Sequence, residues 1–334
     1  MVLTSPVVRN FPAILSVVIA QILAPPSWSL DLPPRKQWNA NGGYCGETYL
    51  IGAGMHFGQY CSQFTARKAA SPHAKQSDPK SQLLVGVNDT RAAKAMKLEA
   101  QPFNPSGQNS TAEFVSWIKA CVAGGQPAAI GVFLNSARFG EESAGDEEYD
   151  HIVTVTGLEA KKSPDAGAIR LGDHGLYAPG GRSVFSFSLP LARFLHNRAS
   201  ANKPASPIYS LKDAPPHYGI AITGVADRDG VTIPVRLTAS RNDEPEMPDG
   251  SNDPPATAPL RLVATVSIPD PSVAYKLYRY DSFEKVPSRA FNANAEKAAQ
   301  VWSIPARSGT SFKVSHDTHT GATVVFRAVP ASAP

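Results

Sequence analysis

The order of apolar and polar positions divides the chain into two stretches of different grammar. From residue 30 to about 210, helical periodicities alternate with apolar runs. Tyr49, Ala53, Phe57, Tyr60 and Phe64 recur at intervals of four, four, three and four, which places them on one face of a helix beginning near Cys45. Gly52, Gly54 and Gly58 lower its intrinsic propensity, so this helix is expected to be central and held by its neighbours. Residues 66 to 82 are basic and polar and read as a loop, Leu83 to Val87 as a short strand, and Thr90 to Glu99 as a helix. Thr111 to Val122 reads as a second amphipathic helix through Phe114, Trp117, Ile118 and Cys121, stopped by Gly124-Gly125-Gln126-Pro127. Ala128 to Leu134 is a continuous apolar run, the pattern of a strand buried on both faces. Asn135 to Glu148, polar and acidic, is expected to be an exposed loop. Two strands follow, Ile152 to Gly157 and Ala168 to Leu171, antiparallel neighbours if a hairpin loop at Lys161 to Asp165 joins them.

After about residue 210 the periodicity shortens to that of strands. Pro204 to Pro207 and Pro215-Pro216 read as connecting segments. Short β-rich runs then cover His217 to Val225, Val231 to Ala239, Leu260 to Ile268, Val273 to Tyr280, Ser311 to Ser315 and Thr323 to Val329. Only Ala293 to Gln300 looks helical there, and Arg241 to Pro259, rich in carboxylates and prolines, reads as an exposed insertion. The expected fold class is α+β for residues 30 to 210, a helix packed on an antiparallel sheet. An all-β sandwich, similar to fibronectin type III or immunoglobulin-like modules, is expected over residues 211 to 334.

Composition sharpens this outline. Thirty prolines against 25 glycines favour loops and edges over a helical bundle, and a net charge of +4 on 334 residues is too mild and dispersed to argue for nucleic acid. Arg9 is the only charged side chain before Asp31, and Phe11 to Ala24 is apolar except for Ser16 and Gln21. With Ser27 and Ser29 at the positions a signal peptidase reads, residues 1 to 29 have the layout of a secretory signal peptide and imply an extracellular protein. No segment has the length of a transmembrane helix. Asn88 and Asn109 begin sequons that suit the same route, whereas Asn104 is blocked by Pro105.

Candidate chemistry starts from three cysteines, an odd number. Cys61 and Cys121 lie inside helix-like patterns and are either a disulfide or two buried thiols. Cys45 is left over. It follows Asn41-Gly42-Gly43-Tyr44 at a helix start, where the positive end of the macrodipole favours the reactive thiolate. His151 opens one strand and Asp173 closes the next, so the two can meet if the strands pair. Together they supply a nucleophile, a base, and a carboxylate that orients the base. The repeated Asp-His pairs at 150/151 and 173/174 also permit a zinc reading through His151, His174 and a carboxylate, but it leaves Cys45 and its glycines unexplained. Thiol chemistry of this kind needs no cofactor and no metal.

A cysteine opening a long central helix, a histidine opening a His-hydrophobic-Val-x-Val-x-Gly strand, and an acidic group ending the following strand resemble the papain-fold cysteine peptidases. Residues 37 to 46 correspond to the family's oxyanion and nucleophile segment, and residues 150 to 157 to its histidine strand. With Asp173 as third member, the pattern is nearest the bacteriocin-processing, double-glycine-leader branch. The resemblance covers about residues 35 to 210. It implies a papain-like fold and a secreted thiol hydrolase acting on a peptide or protein substrate through a thioester acyl-enzyme, with Gln37 as oxyanion donor. Gln37 stands eight residues before Cys45 rather than papain's six, so Asn39 and Asn41 are alternatives. The family's Asn-Ser-Trp-Gly motif is absent, its place taken by Asp173-His174-Gly175-Leu176. Two other readings remain: a catalytically inactive homologue that uses the frame for binding, and an acyl transferase of the transglutaminase type, which shares the Cys-His-Asp order.

Overall fold

A computed structural model describes residues 27–103, 110–139, 147–159, 167–175 and 185–333. The first part of the chain runs β1 (Ser27–Ser29), α1 (Cys45–His56), β2 (Gln59–Tyr60), α2 (Gln63–Ala70), α3 (Asp89–Ala95), β3 (Leu98–Pro102) and α4 (Thr111–Ala123). It continues through β4 (Ala128–Leu134), α5 (Ser136–Phe139), β5 (His151–Glu159), β6 (Ala168–Gly172), β7 (Ser186–Pro190), α6 (Arg198–Ala201), β8 (Tyr209–Ser210) and β9 (Gly219–Val225). The remainder is β10 (Val235–Ala239), β11 (Pro259–Ser267), β12 (Tyr275–Tyr280), β13 (Gln300–Ile304), β14 (Ser311–His319) and β15 (Val324–Pro330).

These elements make an α+β protein. Eight strands form one antiparallel sheet in the order β3-β9-β4-β5-β6-β7, with β1 added to β5 and β8 to β4. Side chains alternate across a strand, so β5 sends Ile152 towards the core around α1, and Val153 and Val155 towards Phe114, Ile118 and Val122 of α4. The sheet is thus buried on both faces, which accounts for the unbroken apolar run of β4. Beyond it, a sheet of β10-β11-β14 and a sheet of β13-β12-β15-β2, both antiparallel, share one core.

The boundary expected at residue 210 is crossed in both directions. β9 pairs with β3 and β4 in the first sheet, and β2, from the first part of the chain, pairs with β15 through Val324↔Tyr60 and Val325↔Gln59. One hydrophobic core therefore runs from α1 to β15.

Several local expectations are corrected. The helix from Cys45 stops at His56 because Gly58 turns left-handed at φ +78, so Tyr60 and Phe64 lie on later elements. Part of the basic stretch read as a loop is α2, capped by Ser62, whose side chain accepts from the Thr65 N–H. Leu83 to Val87 is not a strand. Its N–H groups are taken by side chains, Leu83 by Glu47 Oε1 (3.0 Å), Leu84 by Asn88 Oδ1 (2.9 Å) and Gly86 by Asp89 Oδ2 (2.9 Å), so no ladder forms. The helix expected from Thr90 ends at Ala95, where Lys97 adopts φ +58 and the chain becomes β3. Asn135, expected in an exposed loop, is fully buried and donates to the carbonyls of Lys203, Ser206 and Pro207. Residues 293 to 300 hold only a single 3-10 turn, Ala295–Lys297, and β13 follows unannounced.

The carboxylate-rich stretch 241 to 259 is not a free insertion. It lies along the segment before Cys45: Lys36 N–H donates to Asn242 O (2.7 Å), Asn41 N–H to Asp249 Oδ1 (2.8 Å), and Met247 is buried with Trp38 and Tyr44. Glu244 is buried beside Arg35 and accepts from the Gln63 N–H at 3.1 Å.

Asn88 is corrected as a glycosylation site. It is 5 % exposed, and its amide donates to Ser71 Oγ (3.0 Å) and Gln82 O (2.9 Å), leaving no room for a glycan. Asn109, the hairpin loop at 161 to 165, and residues 1 to 26 of the signal-like segment lie outside the described residues. Among the described residues, no helix is long and apolar enough to cross a membrane.

Candidate active site

Cys45 is the first residue of α1, and Tyr44 before it supplies no side-chain cap. The leading N–H groups of a helix have no intrahelical partner, so the half-buried sulfur sits beside free backbone donors. The approach is fixed by backbone geometry. Asn41 (φ +52), Gly42 (φ +79) and Gly43 (φ +89) are all left-handed, a run that favours glycine strongly. Gly46 is required for a different reason: a Cβ there would fall 2.2 Å from the Leu83 carbonyl oxygen.

Arg67 of α2 holds this turn from inside. Fully buried, it donates Nε to Glu47 Oε1 at 2.6 Å and Nη1 to the carbonyls of Asn41 (3.1 Å) and Gln76 (3.2 Å). Nη2 donates to the Gly43 carbonyl, and the guanidinium lies 3.4 Å from the centre of the Tyr44 ring.

His151 faces Cys45 from the sheet. It pairs with Val132, and the preceding Asp150 accepts from the Leu134 N–H (2.9 Å) and forms a two-pronged pair with Arg198, so the mouth of β5 is held on both sides. His151 Nε2 lies 2.9 Å from Asp173 Oδ1, at the end of β6, and both side chains are buried. Burial lowers the basicity of His151, but the hydrogen bonds to Asp173 and Cys45 and their charges outweigh it and push its pKa up to about 10. Burial would raise Asp173; the hydrogen bond and charge of His151 hold it below the usual carboxylate range. Cys45, His151 and Asp173 therefore meet as one unit.

Gln37 joins them. Its N–H donates to the His174 carbonyl at 2.8 Å, and a Cβ built on Gly43 would come 3.4 Å from its Nε2. The side-chain amide thus rests on the turn leading to Cys45, with Oε1 buried and unpartnered. The alternatives lie elsewhere. Asn41 spends its amide on the strap, donating to Ser251 O (3.1 Å) and accepting from the Gly250 N–H (2.8 Å), and Asn39 is exposed.

Cys61 and Cys121 are not a disulfide. Both are free and buried, in separate clusters, Cys61 beside Tyr60 and Cys121 against Ala128 and Ala221. Burial raises both thiols, Cys121 to about 11, which leaves them unreactive. The zinc reading finds no ligand set: among the described residues no group of three His, Cys, Asp or Glu side chains is arranged to hold a metal ion, and His151 Nε2 is committed to Asp173.

Two neighbours of the triad carry no sequence motif. Tyr209, in the two-residue β8, is fully buried with its ring centre 5.7 Å from that of His151, and burial together with the charge of Asp173 raises its phenol. His174 packs edge-on to His151 at 5.9 Å. Burial lowers the His174 pKa to about 4; the charge of Asp173 opposes this and that of His151 adds to it. An unfolded histidine binds its proton near pH 6.5, so from there down to about 4 the unfolded chain holds one more proton at this position, and the native state loses stability as pH falls. The stability difference between His174→Gln and the native chain is therefore expected to shift in the variant's favour as pH drops from 6.5 to 4. Urea unfolding across that range checks it, and a constant difference refutes it.

No protein-family model matches the chain, and no curated protein matches its sequence.

Proposed function

We propose that this chain is a cysteine-dependent hydrolase of peptide or amide bonds, with a papain-like arrangement of α1 against the sheet. The observation that carries this reading is the contact of Cys45, at a helix start, with a histidine raised to about pKa 10 by its bonds to Asp173 and Cys45. Cys45 Sγ attacks the substrate carbonyl carbon while its proton resides on His151. The carbonyl π pair moves to oxygen, where the free N–H groups at the start of α1 and Gln37 Nε2 donate to the oxyanion. Collapse breaks the C–N bond, and His151 protonates the leaving amine, giving a thioester. Water then attacks the thioester with His151 taking its proton, and Cys45 departs as the acid product is released. Asp173 keeps its charge throughout and holds the imidazole in register. The apolar, charge-poor N-terminus supports export as the setting of this chemistry.

The test is turnover of a fluorogenic peptide library by the native chain and by Cys45→Ser. Cleavage lost in the variant supports the proposal. If the native chain cleaves nothing and Cys45 is no more reactive than Cys121, the frame serves binding instead. Gln37→Ala separates the oxyanion role from the nucleophile: kcat is expected to fall about 100-fold or more, the usual loss for one oxyanion donor, while alkylation of Cys45 stays unchanged. Equal losses in both would place Gln37 in the folding of the turn instead.

A further inference from the structure

At the other end of α1, about 17 Å along the axis from Cys45 at 1.5 Å per residue, lies a separate cavity of about 280 Å³. It opens between the end of α1, the end of β9, β10 and β15, and its apolar walls include Phe57, Val225 and Ile233. Three of its lining side chains, His56, Arg236 and Arg327, carry or can carry positive charge, and among the described residues no carboxylate lines it.

Arg327 is the unusual member. It is 2 % exposed and forms no ion pair among the described residues, and burial lowers its pKa to about 9. Its Nη1 donates to the carbonyls of Phe57 (3.1 Å) and Phe326 (2.8 Å) and its Nη2 to Gln59 Oε1 (2.6 Å), which explains a tie between β15 and β2. That tie leaves Nε without a partner and the charge without a counter-ion, and burying a lone cation costs several kcal/mol. Asp227, whose charge acts on it, is committed to its own turn, accepting from the N–H groups of Asp229, Gly230 and Thr232. Arg236 is exposed at the cavity, with no partner for its guanidinium among the described residues. His56 lines the cavity at 8 % exposure, and its ring makes no ion pair among the described residues.

We propose that this cavity binds the C-terminal residue of a peptide: its carboxylate between the two guanidiniums, its amide N–H against the His56 ring, and an apolar side chain on the walls. Each unpaired element of the cavity then has a counterpart. The cations meet an anion, the imidazole a donor, and the apolar walls a hydrocarbon side chain. An inorganic anion would use only the first of these. The assignment is independent of what Cys45 does.

The test titrates N-acetyl-L-leucine into the full chain carrying Cys45→Ala, so that no thiol reaction contributes. Calorimetry and the His56 ring resonance report binding. Saturable binding that shifts His56, weakens at least tenfold with N-acetyl-L-leucinamide, and weakens at least tenfold in Arg236→Gln is the expected result. Arg236 is exposed, so its replacement leaves the fold intact, and a matching thermal midpoint verifies this. No saturable binding, indifference to Arg236→Gln, or equal affinity for the amide overturns the proposal. Inorganic phosphate binding as tightly as N-acetyl-L-leucine also overturns it, since the walls and His56 would then contribute nothing.

Discussion

His151→Ala is expected to slow alkylation of Cys45 by iodoacetamide at pH 7 by about tenfold, and to cut any peptide turnover by about 1,000-fold or more. The first figure follows from ionisation: an unassisted thiol of pKa near 8.5 is only about 3 % thiolate at pH 7, so a fully ionised one has at most about 30-fold to lose, less its lower intrinsic nucleophilicity. The second is larger because in the proposed reaction the same imidazole would also protonate the leaving amine and activate water, and general acid-base catalysis contributes about 10² to 10⁴. His151 is raised to about pKa 10, so it keeps its proton beside the sulfur from pH 7 down to 5, and the native chain is expected to label faster than the variant across that range. Peptide mapping resolves Cys45 from Cys61 and Cys121, whose burial makes them internal controls. Identical profiles for native chain and variant would remove the basis for the hydrolase reading.

Much of this site was legible because its residues sit where secondary structure changes. A cysteine after two glycines and before a helical pattern, a histidine before a β-branched run, and an aspartate after the next strand each mark an element boundary. Antiparallel pairing of β5 with β6 was enough to bring the last two together. What escaped the sequence depended on distant pairing. Tyr209 reaches the triad because β8 pairs with β4 across 75 residues of chain, Phe133↔Ser210 and Leu134↔Tyr209, and no local pattern encodes that register. The strap at 241 to 259 read as solvent-exposed because its composition is acidic and proline-rich, yet Asp249 is held by Asn41, Glu244 by Arg35 and Gln63, and Met247 by Trp38 and Tyr44. The same holds for the crossing strands β2 and β9, which are too short or too apolar to announce which sheet they join. Periodicity predicts which face of an element is apolar; it does not name the partner that covers it.

Arg67→Met is expected to destabilise the fold by about 3–5 kcal/mol, the range for removing one partner of a buried ion pair. Methionine fills much of the same volume, so packing loss is small and the effect isolates the lost charge and donors. Glu47 is left buried with only the Leu83 N–H as donor to Oε1, and burial already raises its carboxyl even against the pull of Arg67. The carbonyls of Asn41, Gly43 and Gln76 each lose a donor at the same time. Arg67→Lys keeps a charge near Glu47 but cannot serve four acceptors in a fork, so it should recover only part of the loss. The contrast is Arg261→Met: its pair with Asp317 has matching geometry at 2.6 Å, but lies in solvent, and no measurable change is expected. Equilibrium urea unfolding of the three variants orders them, and a loss below about 1 kcal/mol for Arg67→Met would refute the argument. The consequence reaches the site, because the two carbonyls that Arg67 pins belong to the left-handed turn that presents Cys45. Under conditions where the variant remains folded, Cys45 should label more slowly in Arg67→Met than in the native chain, while the His151 to Asp173 bond, built on the sheet, is untouched.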